Sequence, residues 1–280
     1  MNALTRRAQP GLGTYVEICL RGGSAAVFNA AFGRIGEVQA RMSAHLADSD
    51  LAKIARESHH GWVAVDATTA AVIAQALEWA EASEGAFDPV RAGVELVHAG
   101  RRPWFAAELP DRSATWRDLE TDGQWVRARR PLAVDLGGVA KGYAVDLAAE
   151  VIAAEGCSGV VNAGGDLRFI GNEARTAFIK SPAALGEFCE LREIPFPALA
   201  TTASYAFCGD GGNLDLVGCA LGGGVGDGIS ITVFGENCML ADALTKVVLN
   251  LSASRAAALL KFYHCRALIL ESGGRLRELP

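Results

Sequence analysis

Four short segments of the 280-residue chain carry the residue types that phosphate chemistry needs. In Val134-Asp-Leu-Gly-Gly-Val-Ala-Lys-Gly-Tyr-Ala-Val-Asp146 an apolar run meets two glycines and then a lysine. The pattern predicts a short buried strand at Ala133-Val-Asp135, a tight turn at Gly137 and Gly138, and a helix from Lys141 to about Glu155. Backbone N–H groups at a helix start carry partial positive charge and suit an anion. Glycine lets a phosphate approach the backbone, and Lys141 adds a full charge. The bland alternative is an ordinary strand–turn–helix with an exposed lysine.

The second segment, Val161-Asn-Ala-Gly-Gly-Asp166, runs from a strand into a glycine pair and an acid, which also fits a hairpin turn. The third, Gly85-Ala-Phe-Asp-Pro89, follows a helix and fits a helix stop with an Asp-Pro turn. The fourth is Met239-Leu-Ala-Asp-Ala-Leu-Thr-Lys246. Asp242 is expected in the first turn of an apolar helix, where a carboxylate complements the dipole. Thr245 and Lys246 follow at i+3 and i+4, so they share its face, and a plain Asp–Lys pair is the bland reading.

The elements that would hold these segments alternate without a strict βαβ repeat. Tyr15–Leu20 reads as a strand entered through the turn Pro10-Gly-Leu-Gly13. Helices are expected at Ala26 to Met42 and Thr69 to Ser83, the latter capped by Thr68 or Thr69 and followed by Gly85. Residues 98–130 carry three of the five tryptophans and show no period, so irregular structure with a short strand near Trp125 is expected. Further strands are expected at Gly159–Asn162, Leu167–Ile170, Thr176–Lys180, Leu199–Thr201, Ile229–Phe234 and, last, Ala267–Leu270. Leu240–Leu251 and Ser254–Phe262 read as helices. The fold class is α+β, with mixed, largely antiparallel sheets and packed helices. Residues 211–228 hold eight glycines in eighteen positions and read as a loop.

Composition sets outer bounds. Half of the chain is apolar, 21% is charged and the net charge is −6. General disorder is excluded, and a broad nucleic-acid surface is disfavoured. No run approaches the roughly 20 apolar residues of a membrane span. Seven cysteines form no C-x-x-C pair, which points to free buried thiols in a reducing compartment rather than a disulfide framework. Arg6 and Arg7 are followed by no apolar run, so no leader is expected and the location read is cytoplasmic. His45, His59, His60 and His98 are read as surface residues.

Taken together and in order, the segments resemble the FAD:protein FMN transferase family, often called the ApbE family. Asp135-Leu-Gly-Gly-Val-Ala-Lys-Gly-Tyr-Ala144 matches its D-L-G-G-I-A-K-G-Y-A signature with one conservative change. Gly85–Pro89 matches G-x-F-D-P, and Asn162–Asp166 matches N-x-G-G-D. Gly11–Thr14, Arg41–Ser43 with Asp48–Leu51, Leu199–Thr202 and Ala241–Leu244 resemble further family segments. The resemblance covers most of the chain and implies one domain, 1–280, of two intimately packed lobes with FAD in a cleft between them. It implies cleavage of the FAD diphosphate, transfer of FMN to a threonine or serine of an acceptor flavoprotein, and release of AMP.

The resemblance also implies site residues. Met42, Phe87 and Asp88 would line the flavin. Gly137, Gly138, Lys141, Asn162, Gly164, Gly165, Asp166, Thr201 and Thr202 would bind FAD, with Ser204 near the nucleotide. Asp242 and Lys141 would be catalytic. Magnesium would be held by the Asp242 carboxylate and the Ala140 carbonyl, with Thr245 as a substitute ligand.

Two departures bear on that set. The family's ligand threonine, four residues after the aspartate, is Lys246 here, and an ammonium can take a cation's place but cannot coordinate one. The family's H-x-x-D-P-x-x-G segment has no histidine here, and Asp215 is read as a remnant of its aspartate. Two further activities therefore stay open: a non-catalytic FAD-binding relative, and an FAD pyrophosphatase giving FMN and AMP.

Overall fold

A computed structural model describes residues 4–182, 188–203, 228–272 and 274–280. The first elements are β1 (Leu4–Gly11), β2 (Thr14–Arg21) and α1 (Ala25–Met42). Next come α2 (Asp50–Glu57), β3 (Val63–Ala64), α3 (Ala67–Ala82), α4 (Pro89–His98), a 3-10 turn (Trp116–Asp118), β4 (Leu119–Asp122) and β5 (Trp125–Ala128). Helix α5 (Ala140–Ala154) leads to β6 (Ser158–Ala163), β7 (Asp166–Ile170), β8 (Ala177–Lys180), β9 (Phe188–Leu191) and β10 (Ala198–Ala203). Then follow β11 (Ile229–Gly235), α6 (Cys238–Asn250), α7 (Ala253–Phe262), β12 (Arg266–Glu271) and β13 (Leu276–Leu279). The architecture is α+β with antiparallel sheets, as the sequence predicts.

The described residues divide into two compact units. One comprises those before 37 and those from 141 on; the other is Glu37–Ala140. The first unit holds an eight-stranded antiparallel sheet in the order β1-β2-β6-β7-β10-β11-β12-β13. Helix α6 packs on β10 and β11. Every residue of α6 except Lys246 is buried, which is why its sequence is apolar all round rather than on one stripe. The second unit carries the small sheet β3-β5-β4 and buries Ile54, Ile73, Val90, Val94 and Leu136.

Several expectations change. Ala133–Asp135 is buried but forms no ladder among the described residues. It lies against α4 instead, where a Cβ on Gly93 would stand 2.5 Å from the Ala133 carbonyl oxygen. The Asp88-Pro89 pair is the start of a helix, not a stop. Asp88 caps α4 through the N–H groups of Val90 and Arg91, and Pro89 fills a first-turn position that needs no donor. Asp66, not Thr68 or Thr69, caps α3. Strand β1 precedes the turn at Gly11–Thr14 and escapes the reading because it is exposed almost throughout.

Asp242 lies beyond the first turn of α6, so the helix-dipole argument for it fails. Of the cysteines, Cys238 and Cys265 are buried, while Cys19, Cys157 and Cys189 are only partly so. His59 and His98 are half-buried, and His98 Nε2 lies 2.7 Å from the Pro110 carbonyl oxygen. Ser204, Cys208, Asp215, Cys219 and residues 211–227 of the glycine-rich stretch lie outside the described residues. No described helix is long and apolar enough to cross a membrane.

Candidate active site

Two helices of the first unit meet at one glycine. Gly142 in the first turn of α5 lies against the start of α6, where a Cβ would stand 2.4 Å from the Cys238 carbonyl oxygen. Asp146, one turn on, accepts the N–H groups of Cys238 and Met239, each at 2.9 Å. Asn237 caps the same helix end through Leu240 N at 2.8 Å. Three donors that α6 could not satisfy internally are thereby paired, and the helix is tied to α5.

That docking sets Lys141 against Asp242. Lys141 Nζ lies 3.2 Å from Asp242 Oδ2 and 2.9 Å from Asp166 Oδ2. Asp166 enters from the β6–β7 hairpin, whose turn is closed by Gly165 N donating to Asn162 Oδ1 at 3.0 Å. Gly164 has φ of +64° and Gly165 of +106°, so glycine is required there for the hairpin itself. Lys246 Nζ completes the group. It pairs with Asp242 Oδ1 and donates to the Asp242 carbonyl oxygen at 3.1 Å. Two acids and two ammonium groups thus form one cluster, with both carboxylates nearly inaccessible.

The electrostatics follow from burial and pairing. Burial opposes the charge on Lys141, but Asp166 and Asp242 outweigh it and raise its pKa well above the ordinary lysine value. Burial, and next the charge of Asp242, push Asp166 up to about 6, against the pull of Lys141 and Lys246. Burial also opposes ionisation of Asp242, but Lys141 and Lys246 win and hold its carboxyl below the usual value. The Cys238 thiol is pushed far up by burial and by the surrounding acids, so it is no nucleophile.

The side chains expected to hold magnesium, Asp242 and Thr245, are already engaged with other groups. Magnesium demands near-octahedral oxygen donors at about 2.0–2.1 Å. Each Asp242 carboxylate oxygen already faces an ammonium. The Thr245 hydroxyl is buried, donates to the Asp242 carbonyl oxygen at 2.7 Å and lies 2.7 Å from the Thr202 hydroxyl. Asp166 Oδ2 is buried without an aligned hydrogen bond, but Lys141 Nζ stands 2.9 Å from it. Among the described residues no group of three or more His, Cys, Asp or Glu is placed to hold a metal ion. The residues present do not fit a magnesium ion.

Other expected positions are placed as follows. Thr201 shares a hydroxyl contact of 2.9 Å with Thr232 on the neighbouring strand. Ala140 opens α5, and Gly137 N donates to Asp135 Oδ1 at 2.7 Å in the turn before it, with Gly138 next. In the second unit Met42 and Phe87 are buried. The buried Asp88 carboxylate accepts three backbone N–H groups, those of Val90, Arg91 and Trp116, which makes it a structural cap. A small open cleft in that unit is lined by Leu51, Trp104, Phe105 and Val134, with Arg102 and Asp135 as its polar wall.

Asp146 is the residue sequence reasoning missed. The signal was present: Asn237 ahead of an apolar run marks a helix start, and a free carboxylate one turn after Gly142 is a ready acceptor for it.

The model of the ApbE family matches residues 12–269. A curated FAD:protein FMN transferase of Rhodobacter capsulatus is 29% identical over 196 residues, covering 64% of this chain and 38% of that relative. The chain thus spans well under half the length of that relative. The solved structure of flavin transferase ApbE from Vibrio cholerae matches with a TM-score of 0.80 at 23% identity, over 99% of this chain and 97% of that one. The ApbE protein of Thermotoga maritima matches with a TM-score of 0.76 at 24% identity, over 98% and 96%. At such identities the likeness speaks for the fold.

Proposed function

The chain belongs to the ApbE family, and on that premise we propose that it is an FAD:protein FMN transferase. It takes FAD and an acceptor flavoprotein as substrates. A threonine or serine hydroxyl of the acceptor attacks the phosphorus of the FMN half. The bridging P–O bond breaks, AMP departs, and the hydroxyl proton leaves to solvent or to the departing phosphate. The relative from Rhodobacter capsulatus supports this reading by its activity.

The observation that carries it is the buried cluster of Lys141, Asp166, Asp242 and Lys246 at the head of α5 and on α6. A diphosphate carries about two negative charges, and the transition state spreads charge over its oxygens. The lysine side chains are 27% and 22% exposed, whereas the carboxylates are 2% and 1% exposed. The two lysines are therefore the members of the cluster that an incoming anion meets first. Fixed cations held by buried acids need no rearrangement when charge develops, which is how preorganised sites lower barriers.

The test is incubation with FAD and a flavin-acceptor domain, read by in-gel fluorescence and AMP release. Covalent flavin with one AMP per flavin supports transfer. Free FMN with AMP and no labelled acceptor would mean FAD hydrolysis instead. The double occupation of the Asp242 carboxylate favours one second reading, FAD binding without turnover, in which FAD is retained and no AMP appears.

A further inference from the structure

We propose that Lys246 is a built-in cation standing where a divalent ion would meet Asp242, so that Lys141 and Lys246 clamp a dinucleotide diphosphate without metal. This rests on the FAD reading above. Three observations support it.

First, the charges close among the side chains alone. Asp166 and Asp242 face Lys141 and Lys246, two against two. A divalent ion added at Asp242 would sit within a few ångströms of an ammonium, and like charges at that range repel strongly in a dry site. Second, Lys246 grips residue 242 at two oxygens, Oδ1 and the backbone carbonyl, the way a bound cation gathers ligands from one residue. An ordinary exposed i, i+4 pair involves a solvated acid, but the Asp242 side chain is 1% exposed. Third, Lys246 is the single residue of α6 that is not buried. It places its charge on Asp242 Oδ1, while Lys141 faces Oδ2 of the same carboxylate.

Two ammonium groups flanking one carboxylate suit the paired, non-bridging oxygens of a diphosphate. A lone phosphate would engage one lysine and leave the other facing the buried acids only.

The test is FAD titration, followed by flavin fluorescence, in EDTA and in millimolar MgCl2. The unaltered protein should bind FAD with affinities that agree within about twofold in the two buffers. Lys246→Thr should lose about tenfold or more in EDTA, the scale of a charge-assisted hydrogen bond, and regain it with Mg²⁺. Lys246→Arg should stay independent of metal. Manganese, read by its paramagnetic resonance spectrum, should bind the Lys246→Thr protein in the presence of FAD and not the unaltered one.

A tenfold loss of FAD affinity in EDTA for the unaltered protein, or stoichiometric manganese on it, overturns the proposal without needing any variant to fold. Equal affinities of Lys246→Thr and the unaltered protein in EDTA overturn it too. Absence of FAD binding in both buffers, with the protein folded by circular dichroism, overturns the parent reading along with this one. Metal-dependent FAD binding overturns this one alone.

Discussion

Lys141 keeps two buried carboxylates from facing each other unscreened. Asp166 and Asp242 both approach it within 3.2 Å. Removing one partner of a buried charge group costs about 3–5 kcal/mol, because the remaining charges stay dry. Lys141→Met is therefore expected to lower stability by about that range in urea unfolding. Adding Asp166→Asn should recover part of the loss, since it removes the acid left facing Asp242. If the double change is as damaging as the sum of the two singles, the coupling argued here is absent. Lys141 and Asp242 were legible in the sequence because residue type and local spacing mark them. The pairing of Lys141 with Asp166 was not. It depends on which side of the β6–β7 hairpin the acid emerges, and hairpin register is not written in the spacing between a helix and a later turn.

Between α5 and α6 the contact is backbone against backbone, so it tolerates no added atom. Gly142→Ala places a methyl 2.4 Å from the Cys238 carbonyl oxygen and 2.7 Å from Met239 N. The helices must separate, at about 1–3 kcal/mol, and thermal denaturation should show it together with weaker FAD binding. Asp146 ties the same two helices and adds a pH signature. Burial raises its pKa from 3.8 to about 6, over the opposing pull of the Cys238 and Met239 N–H groups and Arg168. Between those values the folded chain keeps a proton that the unfolded chain has released. The group's contribution to stability is full below the unfolded value and is lost as pH rises towards 6. Asp146→Asn should therefore gain stability relative to the unaltered protein from about pH 4 to pH 6. A difference that stays flat over that window rejects the assignment. Helices α1, α3, α5 and α6 were readable from apolar residues in long runs. Helix α4 was not, because Asp-Pro is equally the sequence of a turn and of a cap followed by a first-turn proline.

For the whole molecule the net charge is −6, while the four-residue cluster sums to zero at formal charges. An approaching anionic dinucleotide meets the global field first and the lysines only at contact. Its association rate should rise, by about two- to threefold, as salt goes from low to physiological and screens that field. Stopped-flow fluorescence checks this, and a rate that falls with salt would reveal a local positive field that outweighs the total. The fold class was legible because interleaved helices and strands without a strict βαβ repeat leave few layouts. The sheet order was not, since strands β1 and β13 are exposed and carry little apolar alternation. That order has a consequence during synthesis. Strand β2 pairs with β6, Val16 opposite Ala163, and the whole of Glu37–Ala140 is made in between. At roughly 5–20 residues per second the nascent β1–β2 hairpin waits on the order of ten seconds for its neighbour. For that interval one edge of β2 stands open on the ribosome, available to chaperones or to another unfinished chain.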